Sequence, residues 1–183
     1  SADYTRPFSL PDTANNARKV VFYPGSTVGN FKLQTVQQFF EVIHNIIADN
    51  GAFLIGVDLV KDIEVLKNAY NDKKGITAAF NKNILTHINR EIGSNFDIDL
   101  FTHKAIWNSE RSRIEMHLIV NKDHSVLIGH KIIGLKKGES IHTENSHKYS
   151  LESFKSLVSD WFTVKKVWTD TNNFFSLQYL EPK

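Results

Sequence analysis

The sequence predicts an α/β protein: part of a doubly wound parallel sheet together with an α+β insert. Two short apolar runs, at 19–24 and 52–60, flank a segment whose apolar residues have helical spacing. A strand, a helix and a second strand in this order form a βαβ unit, which predicts a parallel pair and a right-handed crossover. Between about 97 and 141 the pattern becomes alternating, which indicates antiparallel strands.

The first strand is predicted at 19–24, where the apolar run stops at the turn residues Pro24, Gly25 and Ser26. The helix that follows is indicated by apolar residues three or four positions apart, namely Val36, Phe39, Phe40, Ile43, Ile46 and Ile47. Thr35 is its predicted N-cap, and Asn50–Gly51 is its predicted stop. Residues 52–60 form the second predicted strand.

The insert is predicted to begin after residue 60. A short helix at 62–70 and a longer one at 77–91 are separated by a polar break. The apolar stripe of the longer helix consists of Phe80, Ile84, Leu85 and Ile88. A strand is indicated where Ile114, Met116 and Leu118 alternate with Glu115, His117 and Ile119, and the polar residues 121–124 are interpreted as a hairpin loop.

The C-terminal third returns to the first domain. Ser150 is predicted to cap a helix, and strands are predicted at 164–168 and 174–180. We assign residues 1–60 and 149–183 to a partial doubly wound domain and residues 61–148 to the insert. Because an open α/β sheet normally has about four or more strands covered on both faces, we expect the first half of the sheet to lie upstream, in a longer protein.

Composition excludes several classes of protein. Apolar residues make up 41% and charged residues 23% of the 183 residues, which is typical of a globular chain. No apolar run approaches the roughly 18 residues of a membrane span, so no membrane partner is expected. The absence of cysteine excludes disulfides and thiolate metal sites and fits a cytoplasmic protein. A net charge of +2 with scattered Lys and Arg does not predict a nucleic-acid surface.

Candidate functional residues lie where predicted elements end. The segment from Gly25 to Asn30 follows a buried strand, and the carboxyl ends of strands bind ligands in open α/β sheets; a simple glycine turn explains the segment equally well. Tyr70 and Thr77 lie near helix ends, where hydroxyls more often cap than bind. Glu144 is interpreted as a loop residue. The histidines lack the spacing of a metal site, so no metal is expected.

Seven stretches of sequence resemble signature stretches of the histidine-specific S-adenosylmethionine-dependent methyltransferase family of ergothioneine biosynthesis. They occur in the family's order and are Phe22–Phe31, Ile55–Asp62, Ala69–Asp72, Thr77–Asn81, Ile88–Glu91, Arg113–Leu118 and Ile141–Ser146. The resemblance implies a Rossmann-like methyltransferase sheet with a substrate-binding α+β insert. It also implies S-adenosylmethionine as co-substrate, no metal, and methylation of the α-amino group of L-histidine up to the trimethyl product.

The resemblance further implies roles for individual residues. Asp3 and Tyr4 would contact the adenine of S-adenosylmethionine, and Gly25 and Ser26 would line the junction between co-substrate and substrate. Catalysis would depend on Asn30 and Tyr70, which would hold the substrate carboxylate. The other implied substrate contacts are Thr77 at the amine, Phe80 and Met116 at the pocket wall, and Glu144 and Ser146 at the imidazole.

Part of the family's pattern has no counterpart in these residues. The glycine-rich cofactor loop and the acidic ribose-binding residue of the first two strands are missing from the 183 residues. We therefore expect a C-terminal portion that does not methylate by itself, and whose exposed sheet edge favours association between chains. Two alternatives remain: a related N-methyltransferase for another amino acid or amine, and a non-catalytic amino-acid-binding module.

Overall fold

A computed structural model describes residues 2–8, 10 and 17–183. The chain divides into two compact units, Ser1–Lys61 with Ser146–Lys183 (unit 1) and Asp62–Asn145 (unit 2). The elements in chain order are β1 (Val20–Tyr23), α1 (Leu33–Ile47), β2 (Ala52–Asp58), α2 (Ile63–Tyr70), α3 (Ile76–Ile92), β3 (Phe101–Asn108), β4 (Arg113–Val120), β5 (His124–Ile128), β6 (Lys131–Leu135), β7 (Ser140–His147), α4 (Leu151–Leu157), β8 (Phe162–Thr169) and β9 (Phe175–Pro182). In the part of the chain that the structure describes, no helix is long and apolar enough to cross a membrane.

Unit 1 is built on a four-stranded sheet of order β1-β2-β9-β8. The predicted parallel pair is confirmed, with Val20 opposite Ala52 in β1 and β2. β9 pairs antiparallel with both β2 and β8. This mixture follows from the connections, because the α1 crossover returns the chain parallel whereas a short turn joins β8 to β9.

The core of unit 1 lies between α1, α4 and the sheet. Five of the six residues in the predicted stripe of α1 are buried and Ile46 is half-buried; the two phenylalanines, Phe39 and Phe40, have no exposed surface. The predicted N-cap is wrong: α1 begins at Leu33, two residues before Thr35, and the carbonyl of Lys32 accepts a 2.9 Å hydrogen bond from Val36 N. Ser150 does cap α4, in a capping box with Ser153.

Unit 2 combines α2 and α3 with antiparallel strands, as predicted. Three strands form a sheet of order β3-β4-β7, and β5 and β6 form a separate hairpin. The predicted alternation of β4 is confirmed, since Ile114, Met116 and Leu118 are buried. Leu118 belongs to a core cluster that also contains Phe101 on β3 and Leu85 on α3.

Three local predictions for the insert are wrong. Residues 121–124 are not a hairpin loop, because the strands they join have other partners: β4 pairs with β3, and β5 pairs with β6. Glu144 lies within strand β7, not in a loop. Phe80 and Ile84 on α3 are 66% and 41% exposed. The inward side of that helix instead carries the polar side chain of Asn81 beside Leu85.

Candidate functional site

In unit 1 the predicted ligand-binding loop lies where β1 ends. Gly25 is exposed, Ser26 has a left-handed φ of 53°, and residues 27–30 form a short 3-10 helix that ends at Asn30. The Ser26 hydroxyl accepts a 2.8 Å hydrogen bond from the backbone N–H of Asp58 at the end of β2. Because β1 and β2 are parallel, this bond ties together two strand ends at the sheet edge where open α/β proteins bind ligands.

Close backbone approaches hold this loop in place. A Cβ on Gly56 of β2 would overlap the carbonyl oxygen of Pro24 and the ring of Phe175, so only glycine fits there without a shift. A Cβ on Gly29 would lie 2.8 Å from the carbonyl oxygen of His147. At Gly25 the nearest atom would be 3.6 Å away, so neighbouring atoms do not require a glycine there.

A buried ion-pair network lies beside Ser146. The side chain of Lys148 is 1% exposed, and its Nζ is 2.7 Å from Asp58 Oδ2. The same ammonium donates to Ser146 Oγ at 2.7 Å. Lys61 Nζ pairs with the other carboxylate oxygen of Asp58 at 2.5 Å. A buried charge requires such partners, so Asp58 supplies the counter-charge that keeps Lys148 in this position.

Asp3 and Tyr4 lie in unit 1 and form an acidic and aromatic pair. The Asp3 carboxylate accepts from the Thr5 hydroxyl at 2.6 Å and from the Thr5 amide at 3.0 Å, and these bonds lower the pKa of Asp3. The Tyr4 ring packs edge-on against Tyr23 and Phe39, with centroids 5.6 and 6.0 Å apart, yet remains 40% exposed. The pair therefore offers a charged acceptor and a partly open ring face.

In unit 2, Tyr70 ends α2 and Thr77 lies in the first turn of α3. The carboxylate of Asp72 accepts from the backbone N–H groups of Thr77 and Ile76 at 2.8 and 3.1 Å. These two bonds, with a further one from the Thr77 side chain, lower the pKa of Asp72 to about 2. A full negative charge therefore lies beside Thr77, which sequence spacing alone did not predict.

A buried polar network, which we call the Asn81 network, connects the elements that carry the five predicted site residues of unit 2. Asn81 Nδ2 is 2.9 Å from His103 Nδ1, and Thr143 Oγ1 donates to Asn81 Oδ1 at 2.6 Å. Since Asn81 donates to Nδ1, the other ring nitrogen of His103 carries the proton and donates to the carbonyl of Tyr70 at 2.8 Å. Thr143 Oγ1 also lies 2.9 Å from the carbonyl oxygen of Met116, which joins the strands of Met116 and Glu144.

The structure also groups Glu115, His117 and His142, which no sequence spacing had singled out. One potential ligand atom from each lies within 4.8 Å of the others, and the two imidazole rings stack with centroids 4.6 Å apart. Burial opposes ionisation of Glu115, but hydrogen bonds from Arg113, Asn108 and His117 lower its pKa to about 2. Because the Arg113 guanidinium, 2.6 Å away, already balances this single carboxylate, we describe the group as an ion-pair cluster.

The remaining predicted residues differ in exposure. Met116 is 3% and Ser146 7% exposed, whereas Phe80 is 66% exposed. Glu144 is half-buried and Asn30 is exposed. Asp3, Tyr4, Gly25, Ser26, Asn30 and Ser146 thus belong to unit 1, and Tyr70, Thr77, Phe80, Met116 and Glu144 belong to unit 2.

Comparison with known proteins assigns the family. The sequence model of the SAM-dependent histidine-specific methyltransferases matches residues 1–182. The chain is 36% identical over 163 residues to histidine N-alpha-methyltransferase of Mycolicibacterium smegmatis, and the matched region covers 87% of this chain and 51% of the relative. It is 34% identical over 171 residues to the protein of the same name from Mycobacterium tuberculosis, and this match covers 92% of the chain and 53% of that relative. The ergothioneine biosynthesis protein 1 of Neurospora crassa is 29% identical over 157 residues, and this match covers 80% of the chain and 18% of that relative.

The chain spans about half the length of the two mycobacterial relatives, 51% and 53%. The matching family model nevertheless extends across nearly all of the chain, through both units. The chain therefore belongs to the histidine-specific, S-adenosylmethionine-dependent methyltransferase family.

Proposed function

We propose that the protein expressed from the complete gene methylates the α-amino group of L-histidine, up to the trimethyl product, with S-adenosylmethionine as methyl donor. The observation that carries this proposal is the family match over residues 1–182. In each transfer the amine nitrogen forms a bond to the methyl carbon while the carbon–sulfur bond breaks, which leaves S-adenosylhomocysteine. The amine gives up its proton to water before it attacks.

Four residues are proposed to contact the methyl donor. The ionised carboxylate of Asp3 can accept a hydrogen bond from the adenine amino group, and the exposed face of Tyr4 can stack on the adenine ring. Gly25 leaves space for a close approach to the backbone. Ser26 fixes the loop through Asp58 N, which supports a role at the junction between methyl donor and substrate.

The substrate carboxylate is proposed to bind Asn30 and Tyr70, whose amide and hydroxyl groups donate hydrogen bonds. Thr77 is proposed to position the amine. The ionised Asp72 beside Thr77 supports this, because a negative charge attracts the substrate ammonium before it loses its proton. Since the reaction is an in-line displacement, holding the amine in the correct direction supplies much of the rate.

The imidazole ring is proposed to bind Glu144 and Ser146, between apolar walls formed by Phe80 and Met116. A carboxylate that accepts from an imidazole N–H forms a charge-assisted hydrogen bond. An apolar side chain in the same place would leave the carboxylate unpaired, so the pair selects against apolar amino acids. The half-buried position of Glu144 and the buried position of Ser146 support this selection.

The test is a mass-spectrometric methylation assay on the protein expressed from the complete gene, with S-adenosylmethionine and a panel of free amino acids. We expect methylated histidine as the main product. Methylation of a different amine would keep the reaction and reject the imidazole assignment. If no amino acid is methylated while calorimetry shows that histidine binds, the protein is an amino-acid-binding module and the proposal fails.

A further inference from the structure

We propose that His103 is a positioning residue for the substrate carboxylate contact: it holds the end of helix α2 and so sets where the Tyr70 side chain meets the substrate. The inference rests on the proposed function, because it assumes that the Tyr70 hydroxyl binds the substrate carboxylate. It adds a residue that acts on the substrate only through the Tyr70 backbone, and it names the hydrogen bond that does so.

His103 lies on the buried face of strand β3. Phe101 and His103 are two residues apart and buried, whereas Thr102 between them is exposed. A polar ring in such a position is unfavourable unless its nitrogens have partners. Both nitrogens have one: Nε2 lies 2.8 Å from the carbonyl oxygen of Tyr70, and Nδ1 lies 2.9 Å from Nδ2 of Asn81.

Two backbone carbonyls determine the direction of both bonds. The carbonyl oxygen of Tyr70 can only accept, so Nε2 of His103 carries the proton and donates to it. The Asn81 amide nitrogen also lies 3.2 Å from the carbonyl oxygen of His117, which likewise can only accept, so this end of the amide is the NH2 group. It donates to Nδ1, and His103 is therefore held in the tautomer that has its proton on Nε2.

The bond to Tyr70 supplies a partner that the helix lacks. The last carbonyl groups of a helix have no acceptor role within it, and α2 ends at Tyr70. The chain leaves the helix through Asn71 with a φ of −141°, and not through the left-handed residue that closes many helices. Because His103 connects this helix end to the sheet, a shift of the backbone that carries the Tyr70 side chain requires breaking a buried hydrogen bond.

The neighbouring proposed substrate residue is held separately. The Asp72 carboxylate accepts a 2.8 Å hydrogen bond from the backbone N–H of Thr77 at the start of α3. Loss of the His103 bond therefore releases the Tyr70 end of the connection at 71–75 and leaves the Thr77 end in place. We expect weaker binding of the substrate carboxylate and little change in how the amine is directed, which raises KM more than it lowers kcat.

Two substitutions of His103 keep different halves of its hydrogen bonding. The amide of glutamine reaches the Nε2 position and still donates to Tyr70, whereas asparagine reaches only the Nδ1 position and keeps the contact with Asn81. In the protein expressed from the complete gene, we expect His103→Asn to raise the KM for L-histidine about 10-fold, with kcat within about 3-fold of wild type. His103→Gln should keep both constants within about 3-fold of wild type.

Asn89 provides the matched control in the same unit. Its amide also ties α3 to the backbone, since Nδ2 donates to the carbonyl of Phe96 and Oδ1 accepts from Phe96 N, both at 2.8 Å. Asn89→Ala removes a comparable polar contact that involves no proposed substrate residue. We expect a lower melting temperature with an unchanged KM. An equal rise of KM in Asn89→Ala and His103→Asn would mean that loosening of unit 2 explains the effect, and would overturn the inference.

A double variant tests the route through Tyr70. If His103 acts through the Tyr70 hydroxyl, His103→Asn in the Tyr70→Phe background raises KM no further. An additive effect, or the same KM in His103→Gln and His103→Asn, overturns the inference. If His103→Asn does not fold, Asn81→Leu/His103→Leu replaces it, because exchanging both partners of a buried polar pair for apolar groups is often nearly neutral. Failure of the wild type to methylate any amino acid rejects the proposed function instead.

Discussion

Asn81 on α3 and His103 on β3 form a buried pair, with Nδ2 of the amide 2.9 Å from Nδ1 of the ring. The opposite ring nitrogen is 2.8 Å from the carbonyl oxygen of Tyr70, 33 residues away in the chain. The end of α2, and with it the position of Tyr70, is thus held by a side chain from the sheet. In unit 2, polar side chains of the Asn81 network therefore make contacts between helix and sheet that apolar side chains usually make.

Replacing Asn81 by leucine is expected to lower the free energy of unfolding by about 2 kcal/mol, because Nδ1 of His103 loses its hydrogen-bond partner inside the unit, while the Thr143 hydroxyl retains the carbonyl oxygen of Met116. Asn83→Leu is the control, since Asn83 is exposed on the same helix. Urea unfolding of the protein expressed from the complete gene measures both changes. Equal stability of the two variants would show that the Asn81 network contributes nothing.

Gly56→Ala tests whether the strand-end loop depends on a close backbone approach. The new Cβ would overlap the carbonyl oxygen of Pro24, so we expect a loss of about 2 to 3 kcal/mol. Gly134→Ala in β6 is the matched control, because within the described part of the chain no atom lies within 4 Å of its added Cβ. Thermal unfolding gives the melting temperatures of both variants. A melting temperature for Gly56→Ala as high as that of Gly134→Ala would contradict the close approach.

Much of the fold follows from apolar periodicity. The stripe from Val36 to Ile47 and the run at 52–60 predicted the βαβ unit, because burial of one helix face against a parallel pair leaves a clear pattern. The alternation of residues 114–119 predicted β4 for the same reason. Strand partners were less predictable: the polar residues 121–124 mark a turn, but they do not specify which strands that turn brings together.

Apolar periodicity did not predict which polar residues are buried. Asn81 is a polar residue beside the apolar stripe of α3, so a pattern of apolar residues predicts a solvent-facing position for it, although it is buried. Lys148 is a charged residue two positions before the predicted helix cap Ser150, a place where lysine is usually solvated. Only the fold brings it to Asp58, 90 residues earlier in the chain, where the ion pair makes burial possible.

Glu115 is expected to make stability depend on pH. Its folded pKa of about 2 lies below the ordinary value of 4.5, so the ionised form is favoured by folding. The contribution of the ionised Glu115 to the free energy of unfolding is therefore complete above about pH 4.5 and is lost as the pH falls toward 2. The stability difference between wild type and Glu115→Gln should therefore shrink by about 2 to 3 kcal/mol over that interval, measured by denaturant unfolding at several pH values.

The exposed Glu110, in the turn between β3 and β4, supplies the control for this measurement. Glu110→Gln should change stability by less than about 0.5 kcal/mol at every pH, because surface substitutions rarely exceed that. A stability difference for Glu115→Gln that stays constant with pH would show that the Arg113 pair does not favour the ionised carboxylate.

Glu144→Gln tests the carboxylate in the proposed imidazole contact on the protein expressed from the complete gene. The amide is nearly isosteric but uncharged, so the bond to the ring N–H loses its charge assistance. We expect kcat/KM for histidine to fall about 10- to 100-fold, mainly through KM. Glu139→Gln, at an exposed position just before β7, should keep wild-type kinetics. Unchanged histidine kinetics in Glu144→Gln would remove Glu144 from the substrate contact and leave the family assignment intact, since that assignment rests on the whole chain.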